Sequence, residues 1–255
     1  ISLPESVERR AGLLPALAGT PHAVVEAIRG SALGPEELSR AVPKRYSPRV
    51  MRRLSHAEIG CALSHLLALR TFLASGHTHA LILEDDAVVS KAALASLKAI
   101  LERHADLDIL KVGGFGPFTS RGSHVDTIGP VALIQAVTFG VCAHGYVVTR
   151  RAAEKIERSA LPIREPFDTF LRNRHRHGCR IFETSPWLVE LQPAYAQSTI
   201  GARDPERASW LRLVQAALVR CHAMVASRLS NVGDFGPVAL FAPRSLPRFP
   251  SGDQR

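Results

Sequence analysis

The hydrophobic positions change period several times along the chain, and those changes divide it into strands and helices. Ala80-Leu81-Ile82-Leu83 is an uninterrupted apolar run, the pattern of a strand covered on both faces. Upstream, Ile59, Ala62, Leu66, Leu69 and Leu73 recur at alternating spacings of three and four, which predicts a long helix. Ser55 and Glu58 form an S-x-x-E capping box at its start, and Gly76 stands at its end. Before that helix, residues 1–3 and 23–28 read as strands, residues 4–10 and 35–41 as short helices, and residues 43–53 as a basic loop. After the apolar run come a helix over residues 90–104, a strand over 109–112 and a Gly-rich loop over 113–117. Strands alternating with helices predict an α/β fold with a mostly parallel sheet.

Beyond Pro186 the pattern loosens, with turn residues and little periodicity over residues 192–205. Trp210, Leu213, Val214, Leu218, Cys221, Val225 and Leu229 then make a helical apolar face opposed by Arg212, Arg220 and Arg228. That face is expected to dock on the core, with an anionic membrane surface as the alternative. From Asn231 onward, prolines and glycines predict an irregular tail. The expected division is a catalytic domain over residues 1–201 and an appended helix and tail over 202–255.

Composition narrows the function classes. A chain of 255 residues with 46% hydrophobic and 22% charged residues is long enough to bury a sizeable core, as a globular enzyme does. No apolar run is expected to span a bilayer, and the opening shows no signal-peptide pattern. A net charge of +9 implies anionic partners. Nucleic acid is not expected among them, because the Arg-rich stretches over residues 49–53 and 172–177 carry no interleaved aromatics. Cys61, Cys142, Cys179 and Cys221 form no C-x-x-C pair, and His77, His79 and His104 lack partners at zinc spacing. A reducing cytoplasm fits best.

The apolar run leads directly into Glu84, Asp85 and Asp86. Ligands gather at the carboxyl ends of strands in open α/β sheets, and three adjacent carboxylates repel unless a cation neutralises them. Oxygen-only ligation suits Mg²⁺ or Mn²⁺, with Asp86 the first ligand, then Glu84 and Asp85. The competing reading is a solvated acidic turn that caps the next helix.

Two motifs flank that helix-to-strand passage: Glu58-Ile59-Gly60-Cys61-Ala62-Leu63-Ser64-His65 and Leu81-Ile82-Leu83-Glu84-Asp85-Asp86-Ala87. In this order they resemble glycosyltransferase family 25, which holds lipooligosaccharide galactosyltransferases of Gram-negative bacteria and collagen galactosyltransferases. Gly145-Tyr146-Val147-Val148-Thr149, Pro166-Phe167-Asp168, Pro186, Gln192 and Gln197-Ser198-Thr199-Ile200 follow in the family's order, so the resemblance covers about residues 1–201. Arg29 departs from it, standing where an acid is common.

The resemblance implies a GT-A-like α/β fold and metal-dependent transfer of a hexose, galactose, from a UDP-sugar to a lipopolysaccharide or lipooligosaccharide acceptor, with inversion. The expected place is the cytoplasm, with peripheral contact on the inner face of the bacterial inner membrane as the alternative to core docking of the C-terminal helix, and the expected acceptor is lipid-linked. The resemblance also marks Asp168 as the acceptor base, whereas the residue pattern alone reads a helix N-cap. Glu58, Ser64 and His65 become donor-binding candidates; by themselves Glu58 reads as the capping box and His65 as a partly buried, hydrogen-bonded histidine. Lys111 at a strand end is a phosphate candidate, and His144 and Tyr146 are sugar-pocket candidates, each equally readable as a rim or core residue. Gly60 reads as a site of close helix packing. Two other classes use the same features: a metal-dependent phosphotransferase or nuclease, and a saccharide- or membrane-binding protein of this fold without catalysis.

Overall fold

The computed structural model describes residues 1–44, 46–114, 119–138, 140, 142–192, 210–241 and 248–250. The N-terminal part holds α1 (Val7–Leu13), α2 (Pro35–Ala41) and a small ribbon of β1 (Tyr46–Ser47) and β2 (Arg52–Arg53). Then follow α3 (His56–Ala74), β3 (His79–Leu83), β4 (Ala87–Val89), α4 (Lys91–Arg103), β5 (Ile109–Lys111), β6 (Thr119–Ile128) and β7 (Val131–Ala136). The remainder comprises β8 (Gly145–Thr149), α5 (Arg150–Ala160), α6 (Phe167–Arg172), α7 (Arg174–His177), β9 (Ile181–Ser185), β10 (Val189–Leu191), α8 (Trp210–Phe235), α9 (Val238–Phe241) and β11 (Arg248–Pro250).

The main sheet has seven strands in the order β11-β6-β7-β9-β5-β8-β3 among the described residues. It is mixed, which corrects the expectation of a mostly parallel sheet. Of its described pairings, β5 with β9 is the parallel one; β8 runs antiparallel to both β3 and β5, and the β6–β7 hairpin is antiparallel throughout. The cause lies between Lys111 and Gly145, where a hairpin replaces the crossover helix that a parallel return requires. Gly129, at φ 57°, makes the two-residue turn between Ile128 and Val131.

Side-chain alternation sends the sheet into two cores. Ile82, Tyr146, Val148, Ile109 and Ile181 pack with α3 and α5 on one face. Leu83, Val147, Leu110, Leu133 and Phe182 pack with α1 and α4 on the other. Both faces are therefore covered, which is why the strands read as unbroken apolar runs.

The Ser55 capping box forms as the sequence predicts, and α3 is buried on most of its circumference. It is the one described helix long and apolar enough to cross a bilayer, contrary to the expectation that no segment is, yet most of it lies inside the protein. Gly60 permits its close packing: a Cβ there would meet Ile28 O at 2.4 Å. The strands expected over residues 1–3 and 23–28 reduce to a single parallel bridge between Ser2 and Glu26.

The C-terminal part departs further from expectation. α8 runs through Asn231 and Gly233 to Phe235, α9 follows, and β11 joins the sheet against β6, so regular elements occupy the expected irregular tail. Tertiary contacts hold this end of α8: Asn231 accepts from Arg174 and donates to Val137 O, and Asp234 pairs with Arg174. The helix turns Ala216, Ala223 and Asn231 inward, with Phe235 buried at its end. Trp210, Leu213, Val214, Leu218, Val225 and Leu229 are exposed, which corrects the expectation that they dock on the core.

Candidate active site

Glu84, Asp85 and Asp86 occupy a turn, closed by Ala87 N donating to Glu84 O at 3.1 Å, between β3 and β4. The next helix, α4, is capped by Ser90, so the acidic run does not cap a helix. Its three carboxylates have different partners. Arg9 from α1 spans two of them, with Nε 2.9 Å from Asp85 and Nη2 2.7 Å from Asp86. Ser2 Oγ donates to Asp85 at 2.8 Å. Asp86 Oδ1 is buried and has no hydrogen-bond partner. Burial and the neighbouring Glu84 push the Asp86 carboxyl up to about 6, against the pull of Arg9.

Glu84 turns the other way, toward α3, where its Oε1 lies 3.4 Å from His65 Nε2. Burial works to raise its carboxyl, but the hydrogen bond and charge of His65, aided by His144, hold it below the ordinary carboxylate range. His65 is buried, stacks on Phe167 at 4.4 Å and contacts Tyr146 Oη through Nδ1. Cys61, one turn earlier on α3, completes a trio with His65 and Glu84 whose ligand atoms lie within 4.8 Å of one another. Burial holds the Cys61 thiol protonated, well above its ordinary range. A mixed sulfur, nitrogen and oxygen set suits zinc, whereas Asp85 and Asp86 offer oxygen alone.

The neighbouring candidates come from β5, β9 and the segment before β8. Lys111 and Glu183 are register partners on the parallel strands, both buried. Burial lowers the Lys111 ammonium and raises Glu183 to about 7, each partly offset by the other. Lys111 Nζ lies 5.1 Å from the centre of the Trp187 ring. His144 Nδ1 is 2.6 Å from Cys142 Sγ, and burial pushes its imidazole down to about 4 against the pull of Glu84 and a backbone hydrogen bond at Val189. Gly113 makes room for that ring, since a Cβ there would come within 2.5 Å of His144 Nε2. Asp168, in the first turn of α6, accepts from Cys142 N at 3.2 Å and Thr169 N at 2.6 Å. Pro166, not Asp168, is the N-cap, which removes the capping reading.

The fold thus gathers Glu84, Asp85, Asp86, His65, Lys111, His144 and Asp168 around the carboxyl ends of β3 and β5. Other candidates have structural duties. Glu58 is buried, closing the capping box and pairing with Arg52. Ser64 Oγ accepts from Ile28 N and donates to Gly60 O, fixing the 28–30 segment on α3. Tyr146 is fully buried and reaches the site through His65. The sequence reading missed Arg9, Cys61, Glu183 and Trp187. A lone acid inside the apolar run Ile181-Phe182-Glu183 was a usable signal; nothing local distinguished Arg9. Gln197-Ser198-Thr199-Ile200 lies outside the described residues.

The model of glycosyltransferase family 25, described as an LPS biosynthesis protein, matches residues 1–171. The chain belongs to this family. The matched span contains the whole acidic turn, α3, His144 and Asp168, so family 25 membership and the clustered site rest on the same residues. Its activity is that of a glycosyltransferase in lipopolysaccharide biosynthesis, which takes a sugar donor and a saccharide acceptor. Glu183 and Trp187 lie beyond the matched span and extend the site. No curated protein matches the chain.

Proposed function

We propose that this family 25 glycosyltransferase transfers galactose from a UDP-sugar to a lipid-linked lipopolysaccharide or lipooligosaccharide acceptor, with inversion, using Mn²⁺ or Mg²⁺. The observation that carries the reading is the acidic turn at the end of β3, where Asp86 presents a buried, unpartnered Oδ1. Such an oxygen costs free energy unless a ligand completes it. Asp86 and Asp85 supply oxygen donors of the kind a hard divalent ion prefers, with Glu84 adjoining. A bound ion would neutralise and polarise the departing diphosphate.

The chain's own residues divide the remaining tasks. Arg9 holds Asp85 and Asp86 in place and limits their mutual repulsion. Lys111 and His144 stand at the same end of the sheet as the turn, His144 O accepting from Glu84 N at 3.0 Å, and there an ammonium and an imidazole suit donor oxygens. Asp168, oriented by two backbone N–H groups, is the group to accept the proton from the acceptor hydroxyl. Inversion calls for such a base on the face opposite the leaving group. Residues 1–201 form the catalytic domain in this reading.

The test is incubation with a panel of nucleotide sugars and Mn²⁺, following nucleoside diphosphate release with and without a saccharide acceptor. UDP release from UDP-galactose that rises with acceptor, vanishes in EDTA and falls by orders of magnitude in Asp86→Asn is expected. Phosphate-bond cleavage without any sugar acceptor points instead to a phosphotransferase or nuclease. Donor binding that metal does not alter, without turnover, points to a binding protein.

A further inference from the structure

α8 presents its apolar stripe away from the protein. Trp210, Leu218, Val225 and Leu229 are 70, 66, 50 and 57% exposed, and Leu211 and Val214 fill the same side. Helical spacing of 3.6 residues per turn puts these six on one arc, while Ala216 and Ala223 lie on the arc turned inward. The stripe extends over about 30 Å at ~1.5 Å per residue. A contiguous exposed apolar surface of this kind marks an interaction site.

Off the stripe, near its N-terminal end, α8 contributes Arg212 and Gln215 to a cavity of about 780 Å³ that also involves the β1–β2 ribbon and the loop over residues 162–164. Lys44, Arg53 and Arg164 line it with Arg212, and among the described residues no acidic side chain does. Arg212 stacks on Tyr46, with its guanidinium carbon 4.7 Å from the ring centre, which fixes one of the four cations at the cavity wall. The acidic member of α8, Asp234, sits at its far end paired with Arg174. An apolar stripe and a basic cavity on the same helix match an amphiphile with an anionic head.

We propose that α8 and this cavity form one membrane-docking surface, taking the phosphate of an anionic lipid among Lys44, Arg53, Arg164 and Arg212 while the stripe enters the interface. The charge pattern selects lipid over a second copy of the chain, because pairing two such surfaces would bring two sets of cations together. It also selects lipid over a purely apolar protein groove, which offers no negative charge to match the cavity. The chain's net charge of +9 adds long-range attraction to the same surface. Docking there brings the enzyme to the plane in which a lipid-linked acceptor resides.

The experiment uses the full chain and vesicles of phosphatidylcholine with and without phosphatidylglycerol, without any sugar donor, so its outcome is independent of the transfer reaction. Trp210 is one of two tryptophans, and Trp187→Phe leaves it as the reporter of lipid contact. The protein should sediment with anionic vesicles at low salt, with a blue shift of Trp210 emission, and release as salt rises. L218S/V225S and, separately, R53E/R164E should each weaken binding about tenfold or more. Melting temperatures should be unaffected by L218S/V225S, since both side chains are exposed. Equal binding to neutral vesicles, vesicle binding unchanged by L218S/V225S, or none in the unmodified protein overturns the proposal. Inorganic phosphate binding that is lost in R53E/R164E while vesicle binding is not also overturns it, leaving a soluble-anion site. Concentration-dependent dimerisation abolished by L218S/V225S in the absence of vesicle binding assigns the stripe to a second copy and likewise overturns it.

Discussion

Tyr146 Oη lies 3.0 Å from Nδ1 of His65, both side chains being buried. With the phenol donating to Nδ1, Nε2 is left to donate to Glu84, which gives the carboxylate a donor. The contact therefore transmits the position of β8 through α3 to the acidic turn, although Tyr146 touches no solvent. Tyr146→Phe leaves Nδ1 without its donor in an apolar setting, at a cost of about 1–3 kcal/mol. A lower melting temperature together with a raised KM for the donor is expected; unchanged values of both would show that His65 orients itself without the phenol.

Arg9 neutralises the carboxylates that the proposed divalent ion would also bind. Arg9→Met leaves Asp85 and Asp86 adjacent and without that cation, so the variant should lose on the order of 3 kcal/mol in EDTA. Added Mn²⁺ should raise its melting temperature more than that of the unmodified protein, as mass action favours the state that binds. Equal metal-induced shifts in the two proteins would remove the ion from Asp85 and Asp86.

Asp168 accepts two backbone hydrogen bonds, and Asn retains the shape while losing the basic oxygen. Asp168→Asn should lower kcat for transfer about 100-fold or more, the range for loss of a general base, with donor affinity nearly intact. Retained transfer with a drop in melting temperature would make the residue a brace between α6 and Cys142.

Glu183 gives a pH signature. Its folded carboxyl is raised to about 7 by burial, against 4.5 for the ordinary group, so the folded state holds a proton that the unfolded state has released between those values. Stability should therefore fall as pH rises through that window. A displacement of this size is worth about 3 kcal/mol at most, with the opposing pull of the Lys111 ammonium already contained in it. Glu183→Gln should abolish that part of the slope. Subtracting the two melting profiles from pH 4.5 to 7 isolates it from the opposite trend of His144, whose folded imidazole is lowered to about 4. Parallel profiles would place the proton elsewhere.

The sequence by itself determined what depends on neighbours along the chain. The Ser55–Glu58 box, the 3.6-residue period of α3 and the apolar run of β3 specify element type and end, because capping and alternation act over a few residues. The position of Glu84, Asp85 and Asp86 just past a two-faced strand was likewise legible, and with it the place of the candidate site. The tertiary structure decided everything that turns on direction or on pairing across the sheet. Alternating strands and helices suggested parallel strands, but the chain between Lys111 and Gly145 returns by a hairpin, so β8 enters reversed. The Ile128-Gly129-Pro130 turn signal was present and went unused. Arg9 reaches Asp85 and Asp86, and Lys111 meets Glu183, only because separate elements fold together; no spacing in the sequence encodes either contact. On α8 the period showed that one face is apolar, yet a helix can present that face inward or outward with identical local geometry. The inward choice fell to the alanines because Arg174, Asn231 and Asp234 bond on that side, and those bonds exist only in the folded protein.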